Sequence, residues 1–220
     1  MAVQHIDGPE QFASAFPVSR ETVDRLETYA GLLRQWQKAV NLVAPGTLEA
    51  VWGRHFADSA QLWRRGQAAR TWTDLGSGAG FPGLVIAILA AELSPPPGCR
   101  VTLIESDMRK AAFLREVARR TGVSVDILSI RIETAATQIK VPATDCVSAR
   151  ALAPLDRLLG LALPFFGPDT TGLFLKGREV DAEIENARKS WAFEIELIPS
   201  MTQEDARIAV VRRLRRKTED

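Results

Sequence analysis

The stretch Asp74-Leu75-Gly76-Ser77-Gly78-Ala79-Gly80-Phe81-Pro82-Gly83 carries the densest chemical signal in this chain. A short β-prone run, Thr71-Trp72-Thr73, leads to an acid. Three glycines follow at every second position, then a proline, then the apolar run Leu84–Ala90. That order reads as strand, tight turn and helix start. It brings bare backbone against a ligand at a helix N-terminus, where free N–H groups and the helix dipole favour negative charge, and so suggests a nucleotide-like cofactor. Two cofactor classes compete for it, and both expect an acid near the end of the next strand to hydrogen-bond a ribose. Glu105 stands about 25 residues beyond the turn, close to that spacing. A nicotinamide dinucleotide asks for Gly-x-Gly-x-x-Gly, whereas the chain has Gly76-x-Gly78-x-Gly80. Asp74 repels a pyrophosphate and attracts an amino group. S-adenosylmethionine has an amino group, a sulfonium and no phosphate, so it meets both conditions. The bland alternative is a tight turn with no ligand.

Further candidates cluster at other strand ends. Ser106 or Asp107 can cap the helix after Glu105, which leaves Glu105 to a ligand. Ile132-Glu133 reads either as a solvated helix start, where an acid is favoured, or as part of the wall around an adenine. Arg150 and Lys176-Gly177 each end a strand, where ligands sit in an open α/β sheet. Two cations there suggest an anionic substrate; solvated or salt-bridged charges are the alternative. Arg54 and Asp58 lie four apart on a helix and can simply pair, and neighbouring His55 is read first as a structural group. The basic run Arg212-Arg213-Leu214-Arg215-Arg216-Lys217 reads as a charged edge strand that blocks pairing, with phosphate contact as the second reading.

The elements that must position these residues fall into two parts. Ser19 to Arg70 looks helical. Val23, Leu26, Tyr29, Ala30, Leu33, Trp36 and Val40 mark one apolar face. Pro45-Gly46 breaks it, and a second helix carries Leu48, Val51, Trp52, Phe56, Ala60 and Leu62. From Thr71 strands and helices alternate. Strands are expected at 71–75, 100–105, 123–130, 145–149, 171–176, 191–198 and 207–214. Helices are expected at 82–92, 108–121, 133–139, 155–165 and 179–190, with a Pro95-Pro96-Pro97-Gly98 loop after the first. The alternation argues an α/β fold with a mostly parallel seven-stranded sheet covered on both faces, closed by an antiparallel hairpin. The expected division is a helical extension, 1–70, and a cofactor-binding domain, 71–220.

Bulk properties narrow the partners. With 28 basic and 27 acidic residues the net charge is +1, so nucleic-acid affinity has to come from local patches. Cys99 and Cys146 lack metal or disulfide spacing and read as thiols in a reducing compartment. No signal peptide, membrane span or metal site is expected, and a cytoplasmic location is the default.

Taken together, these residues resemble one family, the small-subunit ribosomal RNA methyltransferase G family, also called glucose-inhibited division protein B. The resemblance runs from about Leu26 to Leu214. Its carriers are Trp36 with Asn41-Leu42, Arg54-His55 with Asp58-Ser59, the block Asp74–Gly83, Glu105-Ser106 with Arg109-Lys110, Arg131-Ile132-Glu133, Ala149-Arg150-Ala151 and Leu175-Lys176-Gly177. It implies a class I, Rossmann-like methyltransferase that uses S-adenosylmethionine, releases S-adenosylhomocysteine and methylates N7 of guanine 527 in 16S ribosomal RNA, a base read where it is unstacked. It implies cofactor contacts at Gly76, Phe81, Ile132, Glu133 and Arg150, to which the residues themselves add Asp74, Gly78, Glu105 and Ser106. Ala149 stands where many members have serine. Arg150 and Lys176 are expected to orient base or phosphate, with Arg54 and His55 in the RNA-facing wall. A monomer is expected, acting on naked RNA, the small subunit or an assembly intermediate. The alternative is a small-molecule methyltransferase of the same fold.

Overall fold

A computed structural model describes residues 3–92, 98–139 and 142–217. Pro95–Pro97 of the expected proline loop lie outside these residues. Seven strands form one sheet: β1 Thr71–Leu75, β2 Arg100–Ile104, β3 Asp126–Leu128, β4 Cys146–Arg150, β5 Thr171–Lys176, β6 Trp191–Pro199 and β7 Arg207–Arg216. Their order is β3-β2-β1-β4-β5-β7-β6. β1 to β5 run parallel, and β7 inserts antiparallel between β5 and β6. The expected sheet and closing hairpin are both present. β3 is three residues long, shorter than the expected 123–130.

The sheet's two faces build two cores, and strand alternation decides which side chain joins which. Trp72, Leu103, Leu173 and Leu175 fall in one cluster; Leu75, Ile104, Val147 and Phe174 fall in the other. The first cluster takes in α1 Pro9–Ala15, α2 Arg20–Gln37, α3 Asp58–Gly66, α4 Gly83–Ala90 and α5 Met108–Thr121. The second lies under α6 Ile132–Thr134, α7 Leu155–Ala162 and α8 Val180–Ala187.

Local sequence explains the helix ends. Ser19 caps α2 by accepting from Thr22 N, Asp107 caps α5, and Gly122, left-handed at φ 69, ends α5,. α4 has no polar face at all: every residue of Gly-Leu-Val-Ile-Ala-Ile-Leu-Ala is buried. A helix apolar all round has to be covered on all sides, and here the sheet covers one side and α2 and α3 the other. The N-terminal helices are therefore not loosely appended; Tyr29 and Trp36 of α2 pack on Phe113 of α5 at ring distances of 6.1 and 5.6 Å.

Three details depart from expectation. α1 was not anticipated, because its single buried side chain, Phe12, leaves no period to read. The helix after Pro45-Gly46 is not uniform: Trp52–Ala57 is wound as a π-helix before α3 begins. The helix expected at 133–139 starts at Ile132 and is π-wound from Ala135. Such wide turns are rare and often lie at functional sites; both flank the cavity described next. No helix among the described residues is long and apolar enough to cross a membrane.

Phe113→Ala removes the ring on which α2 docks. A fully buried Phe replaced by Ala is expected to cost about 3–5 kcal/mol, and the amides of α2 should lose hydrogen-exchange protection together with those of α5. Unchanged protection in α2 would show that the two helices are not one packed unit.

Candidate functional site

The turn after β1 forms the floor of the site. Gly76, Gly78 and Gly80 all have left-handed backbones, φ 63, 56 and 95, which side chains adopt only at a cost. Space adds a second reason at two of them. A Cβ on Gly76 meets Leu152 Cδ1 at 2.6 Å, and one on Gly80 meets the Tyr29 hydroxyl at 2.5 Å. At Gly78 a Cβ meets only Gly76 O, at 3.8 Å. Gly78 therefore leaves its room to the cavity. Glu105, at the end of β2, holds this turn from the next strand: its Oε2 accepts from Gly78 N and its Oε1 from Asp107 N, both at 2.7 Å. Asp107 caps α5, accepting from Arg109 N and Lys110 N, which leaves Glu105 facing the cavity as expected.

Asp74 requires a correction. It is fully buried and does not line the cavity. Trp72 Nε1 donates to Ser148 Oγ (2.8 Å), Ser148 Oγ donates to Asp74 Oδ1 (2.6 Å), and Gly83 N donates to Asp74 Oδ2 (3.2 Å). The carboxylate thus bolts the N-terminus of α4 to β1 and β4 instead of meeting a ligand's amino group. Burial raises its pKa to about 6, against the hydrogen bonds from Ser148 and Gly83 that lower it.

Phe81 stands at the centre of the far wall. The Tyr29 and His55 rings stack on it at 5.2 and 4.7 Å, and the Arg150 guanidinium lies 4.9 Å from its centroid. Thr47 Oγ1 spends its proton on Ala44 O (2.8 Å), so it accepts from His55 Nε2–H at 2.9 Å. The imidazole is then neutral with a bare Nδ1, which is buried without a partner. Burial and the Arg150 and Arg54 charges push its pKa down to about 3. The pairing expected of Arg54 and Asp58 is not made. Asp58 lies 3.7 Å from Arg150 NH1 instead, while its Oδ1 accepts from Gln61 Nε2 and Thr202 Oγ1, each at 2.9 Å. Arg150 also donates to Arg54 O at 3.0 Å.

Lys176 is likewise not a free cation. It is buried, 2.5 Å from Glu183 Oε2 and 3.0 Å from Ala153 O. The idea of two unpaired cations awaiting an anion fails at both strand ends, because each is already matched by an acid that sequence spacing did not reveal. Asp58 was in view with the wrong partner; Glu183, on α8, gave no signal.

These residues surround one open cavity of about 940 Å³ at the carboxyl ends of β1, β2, β4 and β5. Gly76, Gly78, Phe81, Glu105, Ser106, Ile132, Glu133, Arg150, Lys176, Arg54 and His55 all line it. Arg131, named only as a carrier of the resemblance, and Arg157, not named from sequence, join Arg54 as exposed arginines on its border. Among the described residues none of the three has an acid within salt-bridge distance. The donor set fits S-adenosylmethionine: a strand-end carboxylate for ribose hydroxyls, a Cβ-free turn at Gly78, and the helix start at Ile132-Glu133. No group of three or more His, Cys, Asp or Glu that could hold a metal occurs among the described residues.

Comparison with known proteins agrees with this geometry. Residues 22–209 match a family described as rRNA small subunit methyltransferase G. The chain is 52% identical over 206 residues to the ribosomal RNA small subunit methyltransferase G of Parvibaculum lavamentivorans, covering 93% of this chain and 89% of that one. It is 53% identical over 192 residues to the Rhodospirillum centenum protein of the same name, with 87% and 84% covered. Among solved structures, an O-methyltransferase from Bacillus cereus in complex with SAH superposes with TM-score 0.58 at 17% identity, covering 92% and 96% of the two chains. A ribosomal protein L11 methylase from Lactobacillus delbrueckii gives 0.51 at 19%, covering 70% and 78%. At those identities the structural likeness shows the class I methyltransferase fold alone.

Asp74→Asn tests the buried carboxyl. Folded Asp74 keeps its proton to about pH 6, whereas an ordinary aspartate loses it near pH 3.8. Its folded pKa is raised, so the native state binds the extra proton and wild-type stability falls as pH rises from about 4 to about 6. Asn cannot ionise. The stability difference between wild type and D74N should shift by about 2 kcal/mol against wild type between pH 4 and pH 7. Urea unfolding across that range measures it; a difference that stays constant would refute the assignment.

Proposed function

The chain belongs to the rRNA small subunit methyltransferase G family, and from that membership we propose that it methylates N7 of a guanine in 16S ribosomal RNA. When bound, S-adenosylmethionine supplies an electrophilic methyl group on a sulfonium. Guanine N7 carries a lone pair and no proton, so an in-line transfer asks for no general base. The residues suit that. His55 is neutral, and Asp58, Glu105 and Glu183 are each committed to a cation or to backbone N–H groups. The work left to the chain is orientation and exclusion of water. Glu105 and the Gly76–Gly78 backbone hold the cofactor side; Phe81, His55 and the segment after Arg150 bound the side left for the base.

The observation that carries the reading is the contrast between interior and border. Inside, Arg150 and Lys176 are paired with acids, so no net positive charge opposes the charge that the methylated guanine gains. On the border, exposed Arg54, Arg131 and Arg157 have no acid partner within salt-bridge distance among the described residues, which suits a neutral base entering while phosphates stay outside,. A small anionic substrate would favour the reverse. This supports the RNA reading over a small-molecule methyltransferase of the same fold. In this reading residues 1–70 form an RNA-facing extension and 71–220 the cofactor domain. The enzyme acts as a cytoplasmic monomer, and the small subunit or an assembly intermediate supplies the contact area that a near-neutral protein needs.

Labelled methyl transfer to 16S ribosomal RNA, followed by cleavage at 7-methylguanine, is expected to give a single site; label in another base or position would overturn the proposal. Turnover should be flat between about pH 7 and 9, since neither N7 nor His55 titrates there. Removing Arg54 and Arg157 together is expected to lower the salt slope of RNA binding by about 1–2, at roughly 0.7–0.9 per phosphate contact, with cofactor affinity unchanged.

A further inference from the structure

The segment Ala151–Pro154 joins β4 to α7 and lines the cavity between the glycine turn and the end of β5. It is held in an unfavourable way. Ala151 sits in the left-handed region at φ 49, a conformation that L-residues other than glycine adopt at a cost. α7 starts behind Pro154, whose side chain cannot cap it. Leu155 N would be an orphan donor at the helix start. It is satisfied from another helix: Glu183 Oε2 on α8 accepts from Leu155 N at 2.7 Å. The same carboxylate pairs with Lys176, and Lys176 Nζ donates to Ala153 O at 3.0 Å. The peptide groups on the two sides of Pro154 are thus gripped by the two ends of one ion pair, buried at Lys176 and partly buried at Glu183. On its other side the segment rests on the glycine turn, with Leu152 filling the space that a Cβ on Gly76 would need.

We propose that the Lys176–Glu183 pair is a positioning clamp that fixes the height of Ala151–Pro154 over the glycine turn, and that Lys176 does not bind substrate phosphate. The proposal rests on the methyltransferase reading of the cavity. A cation that bound RNA would set affinity; a clamp sets the geometry of the step and leaves affinity nearly alone. Lys176 and Glu183 would also act as one unit, so that losing the second adds little once the first is gone.

The experiment compares Lys176→Met, Glu183→Ala, the two combined, and the double variant K176M/E183Q. The last keeps an oxygen for Leu155 N and leaves no unpaired charge, so it guards against simple unfolding. Each is assayed on 16S ribosomal RNA alongside wild type, with calorimetric binding of S-adenosylhomocysteine and hydrogen exchange at the Leu155 amide. K176M and E183A are each expected to lower kcat 10- to 100-fold, with KM for RNA and cofactor affinity within threefold. Their combination should be no worse than about threefold beyond either one. The Leu155 amide should lose protection in E183A and regain it in K176M/E183Q. A rise in KM with a salt slope smaller by about one in K176M would overturn the proposal, as would multiplicative losses or a Leu155 amide still protected in E183A. If wild type fails to methylate the RNA, the function reading falls, and the Leu155 exchange result still decides the clamp.

Discussion

Every cation buried at the carboxyl end of this sheet must be matched before anything can bind there. An ion taken out of water without a partner costs several kcal/mol, and the two strand-end cations, Arg150 and Lys176, are both largely withdrawn. The chain solves this with acids from opposite directions: Asp58 from the N-terminal helices and Glu183 from α8. The first solution binds the N-terminal helices to the catalytic end, because Asp58 reaches Arg150 only when α3 is docked. Gln61 extends the tie, bonding Asp58, Ser200 and Met201 N, so that the β6–β7 connection is held by the same helix. What looks like an added N-terminal layer is in this sense part of the site's electrostatics.

In the proposed reaction, the same requirement lets a pocket built from charged residues accept a base that becomes positive. Local neutrality inside, and border arginines that have no acid partner among the described residues, would separate in that reaction two tasks that a single cationic pocket would confuse. Attraction of a polyanion acts at long range and is served by exposed charge; the transfer itself acts at short range and is served by a neutral imidazole, an aromatic ring and fixed backbone.

Much of this was legible in the residues because local chemistry dictated it. The glycine spacing forced a turn, the alternation of apolar runs forced a parallel sheet, and Ser19 and Asp107 marked helix starts that the structure keeps. Ile132, Glu133, Glu105 and Arg150 were placed at the site by the rule that ligands gather at strand ends. Long-range pairing was what the sequence hid. Asp74 stands in the right place by spacing, yet its fate is decided by Ser148, 74 residues away, and by the indole of Trp72. Glu183 is unremarkable on its own helix; only the return of α8 beside α7 gives it Leu155 N, 28 residues away, while it pairs with Lys176 at the end of β5. Burial turns a charge from a ligand contact into a structural bolt, and burial depends on the whole fold.

The wholly apolar helix α4 has one further consequence, for the order in which the chain is made. Its residues emerge after α2 and α3 but before β2, α5 and the rest of the sheet. The helices that cover its outer side are therefore already outside the ribosome when it appears, and its inner side has only β1 to rest on until β2, which starts at Arg100, follows. A chain assembled in the opposite order would expose that surface to its neighbours on both sides, where it would invite aggregation. Placing the helical layer first shields a nascent hydrophobic segment during translation.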